Sequence, residues 1–250
     1  MGVTAITRAA GIARSLVIYR GIPGRSARFR RFFSTLIRPG DLCFDIGAHV
    51  GNRSLCWADL GARVVAIEPQ PDLARLLRHS FRGRLGITLV ESAVGAAPGT
   101  AVLHLSSRTP TVASLSPDWI EAVSRVDGFA SIRWDRQAEV PVTTLDALIA
   151  RFGTPAFCKI DVEGFEAEVL AGLSRPLPLL SIEYVPAAPP ATLAALDRIE
   201  ALGRYRFQVS IGETGRFLWP NWRSGHELRA WLLTRSPGDR SGDIYARAEA

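Results

Sequence analysis

Residues 45–54 are the segment that most constrains the fold of this chain, because they stand between an apolar run and a helical run. Residues 42–46 have the length and composition of a short buried strand, and residues 54–60 are typical of the helix that follows it. Gly47 and Gly51 lie between them and allow the backbone to approach a ligand closely. In an open α/β sheet, ligands bind in the crevice beyond such strand ends. The sequence therefore predicts a ligand-binding loop here.

Two carboxylates accompany this loop. Asp45 ends the first strand, and Glu68 closes the next apolar run about twenty residues on, where a nucleotide-binding unit places an acid for ribose hydroxyls. The loop has the spacing G-x-x-x-G, whereas a nicotinamide dinucleotide site needs G-x-G-x-x-G to hold a pyrophosphate. An acid ahead of the loop repels a pyrophosphate and suits a ligand with an ammonium group. These residues favour S-adenosylmethionine over a dinucleotide; a plain turn with incidental acids is the third interpretation.

Apolar strands and helical patterns alternate along most of the chain. The alternation runs from residue 42 to residue 90 and returns from residue 156 to residue 210. It predicts an α/β fold with a doubly wound, Rossmann-like, mostly parallel sheet flanked by helices. The aromatic-rich part at residues 219–247 is expected to close an edge of the sheet. Residues 108–134 are polar and irregular, and we expect them to form a lid or a wall on the acceptor side.

The first 38 residues are strongly basic and contain no acid. Such a segment could contact an anionic membrane or a nucleic acid. No nucleic-acid motif or aromatic stacking platform accompanies the charge, so nucleic acid is not expected as a partner. We predict a basic helical N-terminal extension over residues 1–38, broken at residues 21–24, that packs its apolar side chains on a single domain over residues 39–250. A homodimer is compatible with the sequence.

Composition restricts the class of protein further. No apolar stretch reaches the length of a membrane span, and no secretory leader pattern begins the chain, so a cytoplasmic protein without a transmembrane segment is expected. Cys43, Cys56 and Cys158 match no zinc pattern and are odd in number. Buried free thiols are the expectation.

A second polar cluster, residues 159–166, follows another apolar strand. Glu163 stands near a helix N-terminus, where the helix dipole favours a carboxylate without any functional reason. That explanation is weaker for Asp161 at the strand tip, because unpaired charge there is costly. The ends of parallel strands share one edge, so Asp161 should face the same crevice as Asp45 and Glu68.

With both clusters in view, the chain resembles the FkbM-family methyltransferases, within the class I S-adenosylmethionine-dependent fold. The resemblance runs from about residue 38 to residue 184, and its matching segments are residues 44–51, 66–69, 93–95, 142–146 and 159–164. It implies a class I methyltransferase domain over residues 39–250. It also implies transfer of a methyl group from S-adenosylmethionine to a hydroxyl of a small-molecule or glycan acceptor, such as a sugar or a secondary metabolite.

The resemblance also implies which residues hold the cofactor. Loop residues line the methionine end, Glu68 holds the ribose diol, and Glu91 or Ser92 approaches the adenine. Asp161 borders the methionine or the acceptor. The predicted cofactor-binding residues are Asp45, Gly47, Ala48, Gly51, Asn52, Glu68, Pro69, Glu91, Ser92 and Asp161.

Methylation of a hydroxyl benefits from a general base, and the predicted catalytic candidates are Asp161, Glu163 and His49. The two acids are expected to raise each other's pKa, although a lone histidine is more often structural. Two carboxylates specify a metal poorly, so no metal site is predicted. Two other classes remain open from the sequence: an NAD(P)-dependent oxidoreductase on a Rossmann-like fold, and a non-catalytic nucleotide-binding protein.

Overall fold

The structure, a computed structural model, describes residues 3–22 and 24–249. Pro23, in the predicted break between the N-terminal helices, lies outside the described residues, as do residues 1, 2 and 250. The α-helices of the described chain are α1 (Val3–Arg20), α2 (Arg25–Phe33), α3 (Asn52–Asp59), α4 (Pro71–Ser80), α5 (Pro117–Ser124), α6 (Leu145–Phe152), α7 (Glu166–Ala171), α8 (Pro189–Leu202) and α9 (Gly225–Leu232), with a 3₁₀ helix at Pro110–Val112. Its strands are β1 (Leu42–Ile46), β2 (Arg63–Ile67), β3 (Ile87–Val90), β4 (Ala93–Val94), β5 (Gly99–Leu105), β6 (Arg136–Thr143), β7 (Phe157–Ile160), β8 (Leu179–Tyr184), β9 (Tyr205–Ile211) and β10 (Gly242–Ala248).

A seven-stranded sheet in the order β3-β2-β1-β7-β8-β10-β9 forms the centre of the molecule. Strands β3, β2, β1, β7 and β8 run parallel, and β10 is antiparallel to both of its neighbours. Strands β1 and β7 are buried along their whole length, which explains why both are mostly apolar without alternation, apart from Asp45 and Lys159. The predicted α/β fold, a doubly wound and mostly parallel sheet flanked by helices, is confirmed.

The C-terminal strand lies inside the sheet and not at its edge. Strand β10 pairs with β8 on one side and with β9 on the other. Its central residues Ile244, Tyr245 and Ala246 are almost completely buried, as expected for a strand covered on both faces. The expectation that the C-terminal part closes the sheet edge was wrong in this respect, since β9 is the edge strand.

A second, three-stranded sheet was not predicted. Strands β4, β5 and β6 pair in the order β4-β6-β5, with β5 and β6 antiparallel. Strand β6 exposes much of one face, and its partner β5 is separated from it in sequence by the 3₁₀ helix and α5. Because this pairing is not local, the sequence pattern around it suggested an irregular segment.

Helix α2 anchors the N-terminal extension on the sheet domain. Its residues Phe29, Phe32 and Phe33 are buried in a cluster with Trp57 of α3 and Phe157 of β7. The ring centroids of Phe33 and Trp57 lie 5.4 Å apart, and those of Trp57 and Phe157 lie 5.2 Å apart. The apolar residues of α2 therefore belong to the core of the sheet domain. The domain boundary at residue 38 stays a prediction.

All three cysteines are buried and free, as expected. Among the residues that the structure describes, no helix is both long enough and apolar enough to cross a membrane.

The aromatic cluster generates a stability prediction. Trp57 is 0% exposed, so Trp57→Ala leaves a large cavity and should cost about 3–5 kcal/mol of unfolding free energy in urea titrations. Leu85→Ala is the control, because Leu85 is fully exposed and its replacement should change stability by no more than about 0.5 kcal/mol. Equal stabilities of the two variants would contradict the role of this cluster.

Candidate active site

The glycine loop brings a buried carboxylate to the edge of the sheet. Asp45, near the end of β1, is 2% exposed and accepts a hydrogen bond of 2.5 Å from the Ser54 hydroxyl. Gly47 has φ +82°, and a Cβ atom there would overlap the backbone carbonyl oxygen of Asp161. A side chain at this position would push the loop away from the end of β7. The two polar clusters of the sequence therefore meet at Gly47.

Glu68 follows β2 and is buried beside the same loop. The backbone N–H of His49 donates to Glu68 Oε2 at 2.7 Å, and that of Gln70 donates to Oε1 at 2.9 Å. Burial raises the pKa of Glu68 to about 7, although these two hydrogen bonds partly offset it. The loop backbone thus fixes the carboxyl group that the sequence assigned to the ribose.

A cavity adjoins Glu68. We call it the apolar cavity. Its apolar lining is Ile46, Ile67, Val94, Leu103, Ala113, Leu115, Val162 and Phe165. Ser92 also lines it, with a buried hydroxyl oxygen that has no hydrogen-bond partner among the described residues. An unpaired buried hydroxyl costs free energy, which a polar ligand atom would recover.

A second cavity adjoins the first, and we call it the acidic cavity. The two share Gly47, His49, Thr111, Asp161 and Glu163. The carboxylates that line the acidic cavity are Asp45, Asp161, Glu163, Glu183, Glu213 and Asp243. Its basic residues are Lys159 and Arg53.

Lys159 of β7 is 1% exposed and lies between two carboxylates. Its Nζ donates to Asp161 Oδ2 at 2.8 Å and to Asp243 Oδ1 at 2.9 Å. Burial opposes ionisation of Asp161, yet Lys159 and Arg53 outweigh burial and hold the pKa of Asp161 below its ordinary value. Asp161 is therefore an ionised partner of Lys159. The expectation that Asp161 and Glu163 raise each other's pKa was wrong for Asp161.

Glu163 and Glu183 form no ion pair within the described chain. Burial, and then the neighbouring carboxylates, raise the pKa of both well above the ordinary value. Oxygens of Asp161, Glu163 and Glu183 lie within 4.8 Å of one another, an arrangement that could hold a hard cation. The absence of a metal stays a prediction. Of the predicted bases, Glu163 is the carboxyl whose pKa is raised above its ordinary value, which is the direction that a general base requires.

His49 lines both cavities but is held as a neutral ring. Burial lowers its pKa to about 4, so the ring is uncharged at neutral pH. Its Nε2 is buried and has no hydrogen-bond partner among the described residues. Among the described residues, no carboxylate orients the ring as in a catalytic triad, and the backbone N–H of His49 donates to Glu68. A structural role explains His49, and its role as a base stays untested.

Eight of the ten predicted cofactor-binding residues line one or both cavities. Those that line the apolar cavity are Gly47, Glu68, Pro69, Ser92 and Asp161. Those that line the acidic cavity are Asp45, Gly47, Ala48, Asn52 and Asp161.

The other two predicted cofactor-binding residues, Gly51 and Glu91, line neither cavity. Gly51 has φ +74°, and a Cβ atom there would press on Leu77 and Phe81, so it serves the packing of the loop. The Glu91 carboxylate is half-exposed and pairs with Arg78 at 3.2 Å. Between Glu91 and Ser92, the geometry therefore favours Ser92 for the adenine side.

Sequence reasoning missed several residues of the acidic cavity. Arg53 stands directly after the glycine loop and donates to Glu213 at 2.9 Å, but Glu213 comes from a distant turn after β9. Asp243 likewise comes from β10, and no sequence signal links it to the site. Glu183 could have been found, because it lies near the end of β8 and the shared edge of parallel strands applies to it as well.

The segment at residues 108–134 forms a wall of both cavities. Thr111 lines both of them, and Ala113 and Leu115 line the apolar cavity. Trp119 of α5 packs on Gly164, where a Cβ atom would overlap the indole ring. The segment is thus packed on the loop that carries Glu163. Whether it moves as a lid stays a prediction.

The class of protein follows from the family that matches this chain. A family model described as the methyltransferase FkbM domain matches residues 45–241. The chain therefore belongs to the FkbM methyltransferase family, as predicted, and it is an S-adenosylmethionine-dependent methyltransferase. This assignment decides against the oxidoreductase and the non-catalytic binding protein.

Individual proteins similar to this chain are also methyltransferases. The hexuronic acid methyltransferase AglP of Haloferax volcanii is 27% identical over 182 residues, which cover 70% of this chain and 67% of that protein. A putative O-methyltransferase from Klebsiella pneumoniae is 10% identical with a TM-score of 0.48, covering 100% of this chain and 91% of that chain. An O-methyltransferase from Bacillus cereus in complex with SAH is 12% identical with a TM-score of 0.48, covering 98% and 90%.

The residues of the two cavities fit S-adenosylmethionine. The apolar cavity offers apolar walls for the adenine and the unpaired Ser92 hydroxyl for one of its polar atoms. Glu68 would accept hydrogen bonds from the ribose hydroxyls. Carboxylates such as Asp45 in the adjoining acidic cavity would suit the ammonium and sulfonium groups.

The Lys159 ion pairs generate the second prediction. Lys159→Met leaves two buried carboxylates without their counter-charge and should cost about 3–5 kcal/mol in urea unfolding. In the native protein the pKa of Asp161 is lowered, so the pair contributes above the ordinary aspartate pKa and its contribution is lost as the pH falls through the lowered value. The variant should therefore lose less stability than wild type on acidification. The double variant Lys159→Met/Asp243→Asn should be more stable than Lys159→Met. If Lys159→Met is as stable as wild type, the ion pairs of Lys159 do not stabilise the protein.

Proposed function

We propose that this methyltransferase acts on a hydroxyl group of a sugar, glycan or secondary metabolite, bound in the acidic cavity. The observation that carries the proposal is that the two cavities adjoin and share Gly47 and Glu163 in their linings. A hydroxyl acceptor has to lie next to the methyl donor and also next to a group that takes its proton. Glu163 is placed for the second task.

Glu163 is the general base of this proposal. When bound, the cofactor supplies an activated methyl group, so the residues of the chain have to align the acceptor and take up one proton. The Glu163 carboxyl has a raised pKa, and a cationic ligand beside it favours its ionised form. As carboxylate, it then accepts the acceptor's hydroxyl proton, while the ion-paired Asp161 stays charged beside Lys159.

The similarity to a hexuronic acid methyltransferase supports a carbohydrate acceptor. The charge of the cavity restricts how such an acceptor lies. Lys159 and Arg53 are both engaged by carboxylates already, Arg53 with Glu213 at 2.9 Å. A uronate carboxylate would therefore have to point away from Glu163, and a neutral sugar would meet no such restriction.

Cofactor binding through Glu68 is the third prediction. Glu68→Ala removes the predicted acceptor of the ribose hydrogen bonds and should weaken S-adenosylmethionine binding by roughly 1–3 kcal/mol in calorimetry. Glu91→Ala is the matched control, since Glu91 lines neither cavity, and its affinity should equal that of wild type. Unchanged affinity in a folded Glu68→Ala protein would remove Glu68 from the cofactor site.

The fourth prediction concerns turnover. Purified protein is incubated with methyl-labelled S-adenosylmethionine and either p-nitrophenyl glucuronide or p-nitrophenyl glucoside, and methylated glycoside is measured. Glu163→Gln should lower kcat by about 10²–10⁴-fold, the usual contribution of a general base.

The same variant should change how stability depends on pH. The raised pKa of Glu163 means that wild-type protein loses stability as the pH rises and this carboxyl has to ionise. Glutamine does not ionise, so Glu163→Gln should become more stable relative to wild type with increasing pH.

Glu168→Gln is the control for this experiment, because Glu168 is exposed on α7 and lines neither cavity. Full activity of Glu163→Gln would exclude Glu163 as the base. If wild-type protein methylates neither glycoside nor any other hydroxyl compound in a metabolite extract, the proposed acceptor class is wrong.

A further inference from the structure

Helix α1 lies against the active site, although the family match begins only at residue 45. Tyr19, in the last turn of α1, lines the acidic cavity together with His49, Asp161 and Glu163. Its ring meets the His49 ring edge-on, with centroids 5.3 Å apart. The N-terminal extension therefore contributes a side chain to the cavity that carries the proposed base.

Arg8 fastens the first half of α1 beside the apolar cavity. Its guanidinium is buried and donates to Asp72 Oδ2 at 2.6 Å, to Gln70 Oε1 at 2.6 Å and to the Ser106 carbonyl oxygen at 2.8 Å. The backbone N–H of Gln70 in turn holds Glu68. A buried arginine with this set of partners is strongly positioned, because breaking any of them leaves charge or polar atoms unpaired.

Gly11 shows how closely the middle of α1 approaches the wall at residues 108–134. A Cβ atom on Gly11 would stand 2.9 Å from the carbonyl oxygens of Ser107 and Arg108. That is closer than real side chains allow, so any larger residue has to push the helix and this segment apart. The same segment continues into the 3₁₀ helix whose Thr111 lines both cavities.

The end of α1 is attached to the glycine loop itself. Arg20 donates from Nη2 to the Val50 carbonyl oxygen and from Nη1 to the Ser80 hydroxyl at 3.3 Å. Val50 lies between the two glycines of the loop. Helix α1 thus contacts the loop, the residue that holds Glu68 and the wall before Thr111.

We infer that α1 is a wall of the active site and that Tyr19 binds the methyl acceptor, its hydroxyl donating a hydrogen bond to an acceptor oxygen. The acceptor part rests on the proposed function. The Tyr19 hydroxyl makes no hydrogen bond to the described residues, and it lines a cavity in which six of the twelve other polar side chains are acids. Burial raises the pKa of Tyr19 to about 12, so the hydroxyl remains a donor at neutral pH.

Two measurements with S-adenosylhomocysteine test the wall without any acceptor. Hydrogen exchange of wild-type protein should slow in residues 8–20 and 107–115 when this ligand is added. Gly11→Leu should weaken its binding at least tenfold in calorimetry, while Val17→Leu, at an exposed position of the same helix, should bind as wild type does. Arg8→Ala replaces Gly11→Leu if the latter does not fold.

If hydrogen exchange in α1 is unchanged and Gly11→Leu or Arg8→Ala binds S-adenosylhomocysteine as wild type does, α1 is not a wall of the active site. These outcomes do not depend on the acceptor, so they separate failure of this inference from failure of the proposed function.

Tyr19→Phe tests the acceptor contact. It should raise the KM for p-nitrophenyl glucoside about tenfold, with kcat changed less and the affinity for S-adenosylhomocysteine within about twofold of wild type. An unchanged KM would overturn the contact. Equal weakening of S-adenosylhomocysteine binding would move Tyr19 to the cofactor end, which also contradicts the assignment.

Discussion

The site depends on the ion pairs that the buried ammonium group of Lys159 forms with two carboxylates. Lys159 is the chain's only lysine, and it joins β7 to β10 through Asp161 and Asp243. A buried cation is costly unless it is paired, and each carboxylate beside it would be costly alone. The three groups therefore stabilise one another only when the C-terminal strand lies inside the sheet next to β8. The position of β10 and the charge of the cavity are thus two consequences of one arrangement.

This arrangement divides the acids of the cavity into two kinds. Asp161 and Asp243 share Lys159, and Glu213 pairs with Arg53. Although burial opposes ionisation, these cations hold the pKa of Asp161 and of Glu213 below its ordinary value. Glu163 and Glu183 remain without an ion pair in the described chain, and burial, and then the neighbouring carboxylates, make their ionisation harder. Burial and fixed negative charge thereby together raise the proton affinity of these two carboxyls. A general base that takes the proton of an acceptor hydroxyl beside a cationic ligand needs such a raised proton affinity.

Local patterns in the sequence were sufficient for the parts of the structure that depend on neighbouring residues. The β1 loop, the place of Glu68 after β2 and the cluster after β7 follow from strand ends that share one edge. The second sheet, the insertion of β10 and the ion pair of Lys159 with Asp243 depend on residues far apart in the chain, which periodicity does not reveal. The pKa of Asp161 is set by burial against two cations, Lys159 two residues away and Arg53 of α3. The sequence pattern does not show that these cations outweigh burial.

The N-terminal extension shows how position changes the meaning of charge. From the sequence, its arginines formed one basic stretch, and a solvated surface explained them all. In the structure they differ in kind: Arg8 is buried among polar partners, Arg20 binds the glycine loop and Arg14 is exposed. A buried arginine that contacts the residue holding Glu68 cannot be exchanged for another basic surface residue, because the geometry of its planar group is used. The extension therefore packs closely on the domain that follows it, and the aromatic residues of α2 share a core cluster with α3 and β7.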